Sequence, residues 1–201
     1  MNKKLLTSLV VAIAAFAATP AIAQAEPSQW LSEGKPIPIG ESVNVTTLGK
    51  LTITVRSATG PIIARFKCVV SDLETVSNTA NGGVDEMKEI NLTGCTVSPT
   101  PCAEGGIPTI TGIPPWTSSL GNTEPFIDTW SGVKFEVKCP TGASPGTFTG
   151  TLTPEVGKSV LKFTTKRGML TEPVSGDKMV VAGGDKLIGP PGDKKITAGI
   201  V

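Results

Sequence analysis

Ile62-Ile63-Ala64-Arg65-Phe66-Lys67-Cys68-Val69-Val70 and Val133-Lys134-Phe135-Glu136-Val137-Lys138-Cys139 are the stretches whose reading decides the fold. In the first, Ile62, Ala64, Phe66, Cys68 and Val70 share one face, and Arg65 and Lys67 lie on the other. In the second, Val133, Phe135, Val137 and Cys139 oppose Lys134, Glu136 and Lys138. Side chains alternate across a β-strand, so apolar residues at a period of two mark a strand with one face in a core. The same alternation recurs in Val43 and Val45, and again in Leu51, Ile53 and Val55, which reads as a hairpin turning at Gly49. A mixed strand over 85–94 leads to Cys95, and further strands fall at 147–153 and 159–165. Glycine (23) and proline (17) are plentiful and leucine-rich amphipathic runs are missing, a balance that favours turns and strands over helices. The expected fold is all-β: a disulfide-stapled antiparallel β-sandwich or open barrel.

The chain has four cysteines, Cys68, Cys95, Cys102 and Cys139. Cys68 and Cys139 each sit on the apolar face of their own strand. Two inward cysteines can bridge across a core, whereas an inward one reaches a surface loop with difficulty. Strand phase therefore pairs Cys68 with Cys139 and leaves Cys95 with Cys102, closing a short loop around Ser98-Pro99-Thr100-Pro101. A tetrathiolate zinc site would need paired C-x-x-C spacings, which are not present.

Residues 103–131 read as a long irregular excursion carrying Pro108, Pro114, Pro115, Pro125, Trp116 and Trp130; long loops in compact domains are often functional. Near the C-terminus, Gly176-Asp177-Lys178, Gly184-Asp185-Lys186 and Gly192-Asp193-Lys194 recur every eight residues. A Gly-Asp turn before each short apolar run suggests a C-terminal β-meander. The domain reading is 1–25 signal peptide, 26–40 irregular N-terminal segment and 41–201 one β domain, with a sub-boundary at 140–146 as the alternative.

The N-terminus reads as an export signal. Lys3 and Lys4 precede an apolar run from Leu5 to Ala18, Pro20 interrupts it, and small residues frame cleavage after Ala25 or after Ala23. The run is shorter than the roughly 20 residues a membrane-spanning helix needs. No transmembrane segment is expected after cleavage, and an even cysteine count suits an oxidising, extracellular setting. The remaining 176 residues carry sixteen basic and seventeen acidic side chains. That balance gives no electrostatic footprint for nucleic acid.

The composition also restricts chemistry. Histidine is absent, which removes Ser-His-Asp and Cys-His centres and the commonest zinc and iron ligand. No phosphate-cradling glycine motif is present. No catalytic residue, metal ligand or cofactor is therefore expected. The one catalytic option left is a pair of carboxylates of the glycosidase kind. Glu124 with Asp128 is the first pair to consider, since both fall in the tryptophan-bearing excursion, and Asp85 with Glu89 is the second. Trp116 and Trp130 are the candidate ligand-binding residues, because flat aromatic faces displayed in loops can stack on sugars or apolar ligands.

Several segments together resemble a known group. They are Gly49-Lys50-Leu51-Thr52-Ile53-Thr54, Phe66-Lys67-Cys68, Leu92-Thr93-Gly94-Cys95, Pro101-Cys102, Ile113-Pro114-Pro115-Trp116-Thr117-Ser118-Ser119-Leu120 and Gly132–Cys139. Over roughly residues 49–139 the chain resembles uncharacterised secreted, β-rich, four-cysteine proteins of soil actinobacteria. The resemblance implies export and a disulfide-stapled β domain, and it supplies no activity.

The functional expectation is a secreted, non-catalytic domain that binds or builds structure at or near the cell envelope, with a polysaccharide or another envelope component as its partner. The alternatives are a two-carboxylate glycan hydrolase, and a secreted inhibitor or bulk surface protein with no small-molecule ligand.

Overall fold

The computed structural model describes residues 26–141, 146–189 and 194–200. The expected signal peptide and Gly192-Asp193 of the repeat lie outside the described residues. The chain is all-β, and its core is a closed antiparallel barrel of eight strands. These are β3 (Ser42–Arg56), β4 (Ile62–Thr79), β5 (Gly82–Val97), β7 (Trp116–Leu120), β8 (Phe126–Lys138), β10 (Glu155–Gly157), β11 (Val160–Phe163) and β13 (Lys178–Gly189). Going round, the order is β11-β10-β8-β7-β5-β4-β3-β13, and β11 pairs with β13 to close the ring. At the opposite end of β8, β6 (Thr109–Gly112) and β9 (Gly146–Leu152) take the flanking places, and β12 (Gly168–Thr171) joins β9 to β13. Closure satisfies the edges that an open sheet leaves bare.

Long strands dominate because the period of two continues well past the apolar stretches. On β4 the inward stripe is Ala64, Phe66, Cys68, Val70, Asp72, Glu74, Val76 and Asn78, eight alternate residues of one strand. β3 pairs with β4 without interruption through Gly49, from Ser42↔Ser77 to Val55↔Ala64, so the expected Gly49 turn does not form. The glycine is needed for space: a Cβ there would lie 2.1 Å from the Gly184 carbonyl oxygen. β13 likewise runs straight through Gly184-Asp185-Lys186 against β3. The second Gly-Asp of the repeat is therefore strand interior, and the C-terminal segment supplies a barrel strand.

The expected 103–131 excursion is mostly strand, comprising β6, β7 and the start of β8. Its prolines interrupt it without removing it from the sheet. At Ser131-Gly132 β8 carries an irregularity in its pairing with β9, and Gly132 has φ 70°. A bulge of this kind adds one residue and flips the phase. Phe126, Asp128 and Trp130 thus point inward before it, and Val133, Phe135 and Val137 after it.

The segment 26–40 is not irregular throughout. β1 (Gln29–Ser32) pairs with β14 (Lys194–Gly199) and with β2 (Lys35–Pro36), forming a flap across one barrel end. Asn78 at the inner end of β4 holds this flap. Its Nδ2 donates to the carbonyls of Trp30 (2.9 Å) and Ile37 (2.8 Å), and its Oδ1 accepts from the Trp30 N–H (2.7 Å). Trp30 is completely buried.

Both disulfides form, but not in the expected pairing: Cys68 joins Cys95, and Cys102 joins Cys139. Cys68 does face the core. Cys95, however, is on β5, which neighbours β4, and the register shift between Lys67 and Val69 beside Gly94 (φ 57°) brings it opposite Cys68. Cys139 keeps the phase of Val133, Phe135 and Val137 but lies just beyond the end of β8. There it meets Cys102, which precedes the short 3₁₀ turn Ala103–Gly105. β5 and β7 separate β4 from β8, so facing the same interior does not place Cys68 beside Cys139. The two bridges close loops of 27 and 37 residues.

Candidate functional site

The barrel interior has two parts. Toward the disulfide end it is filled by Ile53, Val55, Phe66, Phe135, Phe148 and Leu170. Toward the flap end the same alternating positions carry acids. Asp72 and Glu74 come from β4, Asp85 from β5, Asp128 from β8 and Asp185 from β13, and each is at most 6% exposed. No lysine or arginine is buried among the described residues. Burying ionised carboxylates without counter-charges is very costly, and such groups ordinarily shift their pKa and take up protons.

The shifts follow that rule. Burial pushes the Asp72 carboxyl up to about 6, while hydrogen bonds from Thr47 and from Glu74 hold it from rising further. Thr47 Oγ1 donates to Asp72 Oδ1. Burial also pushes Asp128 up to about 6, against the hydrogen bond from Ser118. Ser118 Oγ donates to Asp128 Oδ1 at 2.5 Å. Glu74 and Asp85 are raised well above the usual carboxyl range, first by burial and then by neighbouring carboxylates, to which Glu74 is exposed from Asp85, Asp72, Asp128 and Asp185. Burial, with Asp72 nearby, takes Asp185 to about 8. Glu74 neighbours Asp72 and Asp85 neighbours Asp128, so four of the acids form two interacting pairs. Asp185 is the fifth, unshared group. Coupled carboxyls of this kind titrate as pairs.

Apart from a carboxyl's own proton, no donor reaches either oxygen of Glu74 or of Asp85, Oδ2 of Asp128 or Oδ1 of Asp185. Unpaired buried polar atoms are rare in folded proteins and call for a physical reason. Glu74 and Asp185, with Asp72, border an internal cavity of about 20 Å³ whose remaining wall is apolar and aromatic, including Met87, Leu161, Trp116 and Trp130. Trp116 and Trp130 meet edge to face with ring centroids 6.2 Å apart, and Trp116 also contacts Phe135 at 5.2 Å. The Trp116 indole N–H donates to the Ile113 carbonyl (2.7 Å).

The two tryptophans are therefore not displayed on loops. They lie on β7 and β8 and are 3% and 2% exposed, so stacking on an external sugar face is not available to them. Glu124 and Asp128 are not brought together either: Glu124 is exposed, whereas Asp128 is fully buried. Asp85 and Glu89 are separated in the same way. Between Leu73↔Glu89 and Glu74↔Met87 the register slips, so Glu89 faces out and binds Asn91 (2.9 Å) while Asp85 faces in. What the structure does assemble is one member of each proposed pair, Asp85 with Asp128, across Ser118. Asp72, Glu74 and Asp185 were missed because acids end an apolar run. Their phase was the available signal: Asp72 and Glu74 continue the even-numbered stripe of β4, and Asp185 lies two residues from Leu187.

Outside the barrel, Thr46, Ser71, Leu73, Glu89 and Asn91 line an open groove of about 290 Å³ that also reaches Asp72 and Thr47. Asp72 thus borders both the groove and the inner cavity. No helix among the described residues is long and apolar enough to cross a membrane. Compared with protein-family models, with curated proteins and with solved structures, the chain matches none.

Proposed function

We propose that the chain is an exported, non-catalytic binding protein whose barrel takes up a small positively charged ligand in its acid-lined interior, acting at or near the cell envelope. One observation carries this reading: five carboxyl groups converge inside the barrel with no buried lysine or arginine among the described residues, and several of their oxygens accept no hydrogen bond. A cation supplies both the missing charge and the missing donors. Two tryptophan rings beside the carboxyls add the attraction that aromatic faces exert on cations. Export is supported by the basic-apolar-small pattern of residues 1–25 and by two disulfides, which persist in oxidising compartments. Turnover of a glycan is not favoured, because the inner cavity that Asp72, Glu74 and Asp185 border has room for about one water.

The test is thermal unfolding at pH 7.5 with millimolar ammonium, methylammonium, guanidinium or choline salts, each against sodium chloride of equal ionic strength. A ligand bound only by the folded state raises the midpoint in proportion to the logarithm of its concentration. A rise for one or more of the small cations supports the reading. Curves that superimpose on sodium chloride for all four sink it.

A further inference from the structure

We propose that the cavity between Glu74, Asp72, Asp185 and the Trp116–Trp130 pair is a site for one unsubstituted ammonium ion, admitted at the register slip between β4 and β5, beside Asp72, which borders both the cavity and the outer groove. This rests on the interior-cation reading above and narrows it to one ligand.

Size selects the ion. A cavity of about 20 Å³ holds one water-sized group, and ammonium is of that size. A methyl or longer substituent would have to displace the packed ring of Trp116 or Trp130. Donor geometry separates ammonium from a metal ion. No three Asp or Glu side chains among the described residues are disposed to hold a metal. A metal requires oxygens converging at about 2.0–2.6 Å, whereas ammonium donates hydrogen bonds to acceptors at about 2.7–2.9 Å. Such acceptors line the cavity: Asp185 Oδ1 and the Glu74 oxygens have no protein N–H or hydroxyl within reach. The fold also reserves their space. Gly49 sits opposite Asp185 on β3, and a Cβ there would fall 2.2 Å from Asp185 Oδ1.

The route is set by the β4–β5 pairing. Its register slips between Leu73 and Glu74, adjoining Asp72, and the outer groove with Glu89 and Asn91 lies over that point. A cation entering there passes from an exposed carboxylate, Glu89, to the Asp72 carboxylate, and then to Glu74 and Asp185. The ion never crosses the apolar half of the barrel.

The experiment is NMR of the purified protein with ¹⁵N-ammonium chloride at pH 7, referenced to an equal concentration of sodium chloride. The expected result is a saturable bound-ammonium resonance with nuclear Overhauser contacts to the indole protons of Trp116 and Trp130. Glu74→Gln and Asp185→Asn, each shown to be folded by its amide spectrum, should weaken binding by at least about tenfold, the loss of one charge-assisted hydrogen bond. Asn91→Trp, which covers the groove, should slow release of the bound ion by about tenfold or more, a barrier increase of roughly 1.4 kcal/mol. An ordered water only, seen as water contacts to the indoles with no bound ammonium, overturns the proposal, as does wild-type affinity in both folded variants. Unchanged release in Asn91→Trp removes the route. If methylammonium or guanidinium stabilises the barrel while ammonium gives no bound resonance, the ammonium assignment falls and the interior-cation reading stands. If no cation does either, both fall.

Discussion

The two halves of the barrel are built by the same rule and filled with opposite chemistry. On β4, Ala64, Phe66, Cys68 and Val70 point into one half and Asp72, Glu74 and Asn78 into the other, with no break in the alternation. On β8, Phe135 and Val137 serve the apolar half while Asp128 and Trp130 serve the acidic one. The apolar half stabilises the fold by removing surface from water. The acidic half gives up that gain and must keep its charges protonated, paired or neutralised by something bound. Conserving strand geometry while exchanging the filling is how a barrel gains an interior site without losing closure.

That contrast can be broken most directly with pH. Unfolded, these acids titrate near 4. Folded, Asp72 titrates at about 6 and Asp185 at about 8, and Glu74 and Asp85 are also raised. The folded state therefore holds more protons across this window. The stabilisation is complete below about pH 4 and is lost as pH rises through the folded values. Urea unfolding in sodium buffers should show stability falling by on the order of 5 kcal/mol between pH 4 and pH 9. A flat or rising profile would mean that the five acids are not buried together.

The apolar half should answer to volume instead. Phe135→Ala, at a fully buried ring in contact with Trp116, should cost about 3–5 kcal/mol at every pH. A loss that vanished at low pH would show that the halves are not independent. Replacing Cys102 and Cys139 together by alanine should cost roughly 3–4 kcal/mol on the loop-entropy model and leave the shape of the pH profile intact. Mass mapping of the unreduced protein should find Cys68 joined to Cys95, and a Cys68–Cys139 peptide would overturn the register described for β4 and β5.

The smallest effects sharpen the comparison. Asp185→Asn should flatten the upper part of the pH profile and gain about 1–3 kcal/mol at pH 9, where the native carboxylate is buried and unpaired. Glu124→Gln, on the exposed turn before β8, should change stability by less than about 0.5 kcal/mol at any pH. An equal response from the two would remove the distinction between inward and outward acids.

The apolar half was legible because its signal is simple: alternating Phe, Val, Ile and Cys leave little choice of element or face. The acidic half was half legible. Its Trp116, Trp130, Asp85 and Asp128 stood out by residue type, yet each acid was matched with the wrong partner. In both cases a bulge between the proposed partners, or a turn before one of them, defeats counting along the chain. Asp72 and Glu74 were hidden because polar residues ordinarily mark the end of a buried stripe, and Asp185 because Gly-Asp ordinarily marks a turn.

By itself, the sequence determined that the chain is all-β, antiparallel and disulfide-stapled, since alternation and cysteine content are local properties that survive in any register. Tertiary structure alone decided closure into a barrel, the Cys68–Cys95 and Cys102–Cys139 pairing and the meeting of five acids. Each of these depends on which strands become neighbours and where a bulge shifts the phase by one residue. Neighbourhood and phase are settled by packing the whole ring at once.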